Sequence, residues 1–172
     1  MADVLDVIQS RCSVRGYTQA ALSDVEIKTL VEAGLHAPTA KNTQELHFSI
    51  VSTDSKVIEE IGNDLNPENP LGFLYGAPIL IVISGRDDFG WSAVDAGIAV
   101  ENIHLAACDL DLGSVIIGCI SGVLHGEKKE YYQRLLSIPE GYSFQIAIAV
   151  GHAATSKEPH EIDYEKNVST IK

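Results

Sequence analysis

The run Ala77-Pro78-Ile79-Leu80-Ile81-Val82-Ile83-Ser84 constrains the fold of this chain more than any other segment. Apolar residues follow one another with almost no alternation, so a strand here has no face to offer to water and must be covered on both sides. A second segment points the same way. Trp91 to Leu112 reads as a long, mostly apolar helix that Gly113 can close. Apolar residues occupy so much of its circumference that it belongs at the centre of the fold or at a subunit contact.

The other elements are expected around these two. His47 to Thr53, Ser114 to Ile120 and Phe144 to Val150 read as strands. Val4, Val7 and Ile8 recur at helical spacing behind Asp3, and Ser23-Asp24-Val25-Glu26 has the form of a capping box. Ile27, Leu30, Val31, Gly34 and Leu35 then make one buried stripe that Pro38 ends. Val57, Ile58, Ile61 and Leu65 mark a short helix, and Gly126 to Ser137 an amphipathic one. Helices and strands mingle without a regular βαβ rhythm. No G-x-G-x-x-G follows a first strand and there is no G-x-x-x-x-G-K-[ST], which disfavours a dinucleotide-binding Rossmann domain and excludes a P-loop. The class is α+β.

At 172 residues, with 45% hydrophobic and 21% charged residues, residues 1–172 are expected to form a single domain with a core of its own. The stretch 153–172 is polar with scattered apolar residues and reads as an extended C-terminal arm that needs another surface to hold it. Twelve Lys and Arg against 24 Asp and Glu give a formal charge of −12, which speaks against nucleic acid or an anionic membrane as partner. No run approaches the ~18 consecutive apolar residues of a membrane span. Met1 to Ser10 does not resemble a signal or transit peptide. Cys12, Cys108 and Cys119 lie far apart with no C-x-x-C, as expected of reduced thiols in a cytoplasmic protein without a structural zinc.

With so few basic residues, where they gather matters. Arg11-Cys12-Ser13-Val14-Arg15 brackets a hydroxyl with guanidiniums, which suits phosphate oxygens; the same arginines also suit the C-terminus of a first helix as solvated cations. Ala37-Pro38-Thr39-Ala40-Lys41-Asn42-Thr43-Gln44 carries side-chain amides that complement a cyclic imide edge, and a merely polar turn reads the same. His104 and Cys108 stand four apart on the long helix, but no third ligand follows at useful spacing, so they read as a packed pair and no metal site is expected. Asp95 and Glu101 read as helix acids or interface hydrogen-bonding groups.

R-C-S-V-R-G-Y, the capped S-D-V-E-I-K-T-L-V-E-A-G helix and A-P-T-A-K-N-T-Q together resemble the opening of the nitroreductase family of FMN-dependent oxidoreductases. The likeness continues through Asp95-Ala96-Gly97, Asn102 and Ala106-Ala107, through Gly113-Ser114-Val115-Ile116-Ile117-Gly118, and through Ile148-Ala149-Val150-Gly151-His152. The resemblance implies a central, mainly antiparallel sheet flanked by helices, in a homodimer that exchanges C-terminal arms and binds FMN at its interface. It implies that Arg11 and Ser13 hold the FMN phosphate, with Cys12 contributing backbone, and that Arg15 reaches the phosphate or the flavin pyrimidine edge. Pro38, Thr39, Asn42 and Gln44 would line the ring and ribityl chain, Ile117 and Gly118 would set a backbone N–H near flavin N5, and Lys157 or His160 would complete the phosphate site.

The implied activity is ping-pong transfer of hydride from NADH or NADPH to a small electron-poor acceptor such as a nitroaromatic or quinone. No catalytic side chain is named, because the flavin carries the chemistry. A flavin carrier, a redox-sensing dimer, reductive dehalogenation and flavin fragmentation are the alternatives. Glu45 and Leu46 replace the family's usual Pro-Trp, and no Lys or Arg occurs between Ile61 and Gly85, where some relatives place a cation beside the flavin.

Overall fold

The computed structural model describes residues 3–159 and 161–171. The elements run α1 (Val4–Ser10), α2 (Asp24–Leu35), β1 (His47–Ser52), α3 (Lys56–Leu65), β2 (Ile79–Arg86), α4 (Ser92–Asp109), β3 (Gly113–Ile117), α5 (Ser121–Leu124), α6 (Lys129–Leu135), β4 (Tyr142–Gly151) and α7 (Tyr164–Asn167). The strands form a four-stranded sheet in the order β1-β2-β4-β3, and each neighbouring pair is antiparallel. The apolar run is the inner strand β2, buried along its length up to Gly85.

The period of a strand then divides the core in two. Ile79, Ile81 and Ile83 of β2, with Ile148 and Val150 of β4, pack against Leu30 of α2 and Ala96, Ala99, Val100, Ile103 and Ala107 of α4. Leu80 and Val82, with Phe144, Ala147 and Ala149, face the other way onto Ile58 and Ile61 of α3, Leu124 of α5 and Tyr132 of α6. A bulge at Ile83/Ser84 of β2, opposite Ile146 and Phe144, is where the two strands change register.

The capping box of α2 forms as expected: Glu26 N donates to Ser23 Oγ at 3.3 Å and Ser23 N donates back to the Glu26 carboxylate at 2.7 Å. Several element ends differ from the sequence reading. β3 ends at Ile117 rather than Ile120, because Ser121 N turns back onto Gly118 O at 3.0 Å and starts α5, leaving Ile120 to pack as a loop residue in the core. The helix after it is shorter than Gly126 to Ser137, spanning Lys129–Leu135. Among its described residues the arm forms no helix or strand except α7, one turn in which Lys166 N donates to the Asp163 side chain at 3.0 Å.

Candidate functional site

The chain leaves α1 at Arg11 and runs beside the starts and ends of the last two strands. Ser13 makes a parallel bridge to Ser114 of β3, Val14 N donates to Ser114 O at 3.0 Å, and Tyr17 bridges Ala153 just after β4. The buried Tyr17 hydroxyl donates to Val14 O at 2.9 Å; burial pushes its pKa up, so it stays a donor. Beyond Ala153 the arm continues alongside, with Ala154 N donating to Gly16 O at 2.9 Å. A Cβ on Gly16 would lie 2.8 Å from Thr155 Cγ2, so this close passage needs a small residue.

This route carries Lys157 to the arginine cluster. Arg11, Cys12, Ser13, Arg15, Lys157, Glu158 and Pro159 line a cavity of about 180 Å³. Among the described residues neither Arg15 nor Lys157 is in an ion pair, and Arg15 lies over the Tyr75 ring at 5.8 Å from its centroid. Arg11, Arg15 and Lys157 outnumber the one carboxylate, Glu158, in this lining, so the cavity is suited to an anion and is called the anion pocket below. His160, the other residue expected here, lies outside the described residues.

Arg11 is held from behind by a residue the sequence did not single out for this site. Its Nη1 donates to His104 Nε2 at 2.8 Å, and its Nε faces Glu101 Oε1 at 3.4 Å. Arginine has no acceptor, so Nε2 must accept, which puts the ring proton on Nδ1 and makes Ser114 Oγ its acceptor. His104 is only 2% exposed; burial, and secondly the Arg11 charge, push its imidazole down to about 4. The unfolded chain therefore binds a proton here that the fold rejects between roughly pH 6.5 and 4. The linked stability is complete above that window and is lost as pH falls through it. Urea unfolding of the protein free of ligand should show about 1–2 kcal/mol less stability at pH 5 than at pH 7 from this group, a difference that His104→Gln removes.

The second cluster precedes β1. Asn42 N donates to Thr39 O, Gln44 N donates to Thr39 Oγ1, both at 2.9 Å, and Lys41, Asn42 and Gln44 all adopt left-handed backbone with φ of 57°, 53° and 53°. Such a loop is costly for non-glycine residues and must be held in place. The buried Asp95 of α4 does this at one end, accepting from Ala40 N at 2.9 Å. Arg86 does it at the other, its Nη1 donating to both Glu45 oxygens at 3.1 and 3.0 Å while its fork also grips Asp88. Glu45, a departure from the family pattern, is thus an anchor of the loop. Pro38, Asn42 and Gln44 are exposed. Thr39 and Gln44 join Leu35, His36, Leu46 and Phe48 around a cavity of about 380 Å³.

One chain does not bring these clusters together. The anion pocket borders β3 and the loop leads into β1, at opposite edges of the sheet, about 14 Å apart at one strand spacing per step. Along α4 their anchors His104 and Asp95 are also separated, by about 13 Å of helix rise. Ile117 ends β3 and Gly118 follows it, at the far end of the strand from Ser114, and neither lines the arginine pocket. A Cβ on Gly118 would meet only Ile146 Cδ1 at an ordinary 3.7 Å. Gly118→Val should therefore leave the unfolding midpoint near wild type, which urea or thermal denaturation would read.

Among the described residues no group of His, Cys, Asp and Glu is arranged to hold a metal ion, and no helix is long and apolar enough to cross a membrane. Cys108 instead touches Ser10 Oγ at 3.5 Å.

The sequence model of the Nitroreductase family matches residues 8–71 and 65–152. A nitroreductase with bound FMN from Desulfitobacterium hafniense superposes with a TM-score of 0.87 over 100% of both chains at 27% identity. An FMN-dependent nitroreductase from Clostridium difficile gives 0.84 over 98% of both chains at 30% identity. An NADPH-flavin oxidoreductase from Vibrio harveyi is 28% identical over 92% of this chain and 69% of its own. The anion pocket, the anchored loop and the layered sheet are features of a chain that belongs to the nitroreductase family.

Proposed function

We propose that this protein is an FMN-dependent oxidoreductase that takes hydride from NADH or NADPH and delivers it, in a ping-pong cycle, to an electron-poor acceptor such as a nitroaromatic or quinone. The observation that carries this reading is the pocket in which Arg11, Ser13, Arg15 and Lys157 converge, a donor set that fits a phosphate monoester. Arg11 and Lys157 would bind the FMN phosphate with the Ser13 hydroxyl, Cys12 would add backbone, and Arg15 would reach the phosphate or the pyrimidine edge. When bound, FMN supplies hydride chemistry at N5, so no side chain has to act as nucleophile or general base. The protein's part is to bind, orient and exclude water.

The loop with Pro38, Thr39, Asn42 and Gln44 then belongs to the site only through a second copy of the chain, because in one chain it lies across the sheet from the pocket. A homodimer is favoured independently by apolar residues left on the surface. Trp91, Val94 and Ile98 are exposed on and beside α4. The arm carries Ile162, 78% exposed, and Ile171, 95% exposed, with Tyr164 and Val168 between them. Leu35, Leu46 and Phe48 give the larger cavity apolar walls suited to a planar acceptor. The free Cys12, Cys108 and Cys119 fit a reducing, cytoplasmic setting.

Initial rates at varied reduced nicotinamide and varied nitroaromatic or quinone test the cycle. Parallel double-reciprocal lines are expected; intersecting lines would overturn the ping-pong order.

A further inference from the structure

We infer that His104 is the positioning residue of the anion pocket: as the neutral Nδ1–H imidazole seated on Ser114, it holds the Arg11 guanidinium where a phosphate group meets it. The inference takes the identity of the ligand from the FMN reading and the rest from the geometry of this chain. Arg11 follows the last residue of α1, and nothing local fixes its long side chain. His104 comes from α4, 93 positions later, and Ser114 from the head of β3, which also pairs with Ser13. The Arg11–His104–Ser114 chain thus ties the arginine and the hydroxyl of the pocket to the same strand residue.

The chemistry of the acceptor matters. A carboxylate in the place of His104 would orient Arg11 but cancel its charge and compete with an incoming phosphate. A neutral imidazole orients the guanidinium and leaves its charge for the ligand. Glu101, the only carboxylate in an ion pair with Arg11 among the described residues, stands off at 3.4 Å and is half-exposed, where water screens it. Cys108, one turn further along α4, engages α1 residues and not the imidazole. With Nη1 given to His104 and Nε turned to Glu101, no hydrogen bond among the described residues engages Nη2, which is free to donate to a ligand.

The test uses the protein stripped of flavin, in wild-type, His104→Leu and His104→Gln forms, titrated separately with FMN and with inorganic phosphate, together with ¹⁵N spectra of the histidine rings. The Gln amide oxygen replaces the Nε2 acceptor; Leu fills the space without one. Wild type should show the Nδ1–H tautomer for His104. His104→Leu should bind FMN about tenfold more weakly or worse, the loss expected when one hydrogen bond to a charged group is removed, and His104→Gln should stay close to wild type. An Nε2–H tautomer, unchanged affinity in His104→Leu, or equal losses in both variants would overturn the positioning role. Should His104→Leu not fold, the tautomer and the affinity of His104→Gln decide. Failure of wild type to bind FMN, with phosphate still bound in a His104-dependent way, would sink the cofactor reading and leave this one standing.

Discussion

Arg11→Ala should weaken FMN by roughly 1.5–3 kcal/mol, the scale of a hydrogen bond to a charged group, which is about one to two orders of magnitude in the dissociation constant. The effect is large because Arg11, among the described residues, is the pocket cation held by a side-chain hydrogen bond, gripped by His104 at 2.8 Å. Arg15 and Lys157 are exposed and must give up side-chain freedom on binding. The fold should survive, since Arg11 is only half-buried and a water entering the space it leaves can donate to His104 Nε2 in place of the guanidinium. Fluorescence titration with FMN checks the affinity and thermal denaturation the fold. An unchanged dissociation constant would remove Arg11 from the site.

Ending the chain at Ser156 should cost more. It removes Lys157 from the pocket and, with it, Ile162, Tyr164, Val168 and Ile171, which are exposed in their own subunit. Each such side chain contributes on the order of 1.5–3 kcal/mol when fully buried, so an arm docked on a second copy is a substantial part of a dimer's stability. The strands and both core layers lie before residue 153 and stay intact, and the arm's first contacts, Tyr17 with Ala153 and Ala154 with Gly16, remain. The truncated chain should fold, sediment as a monomer and lose FMN at the same time. A stable dimer that still holds FMN would show that the arm does not dock.

Much of the fold was legible because its signals are local. The uninterrupted run at Ile79–Ile83 identified a strand buried on both faces, and S-x-x-E marked the start of α2 to the residue. The end of β3 was not, because Gly118-Cys119-Ile120 continues an apolar pattern while the backbone turns; Ile120 is as buried as a strand residue but in a loop. The short turn of α7 was missed because a lone Asp cap in a polar tail carries little signal. At the site, the arginine pair and the loop could be named from the motif they resemble, and Lys157 falls in the pocket.

The residues that hold these groups in place could not be named, because the partners are distant in sequence. Asp95 meets Ala40 across 55 positions and His104 meets Arg11 across 93. On the sequence, His104 stood out only for its spacing from Cys108, a neighbour on its own helix. The split of the site across the sheet was equally hidden: strand order is a property of the whole chain, and it is strand order that sets the loop and the pocket apart.

The proposed cycle requires that this chain bind FMN and reduce it with a nicotinamide donor. Its most direct test is the anaerobic absorption spectrum of the purified, FMN-reconstituted protein, recorded before and after addition of NADH or NADPH. A protein-bound flavin spectrum at one FMN per subunit, bleaching on addition of the reduced nicotinamide, is expected. A protein that retains no FMN through gel filtration, or whose bound flavin neither donor bleaches, would contradict it.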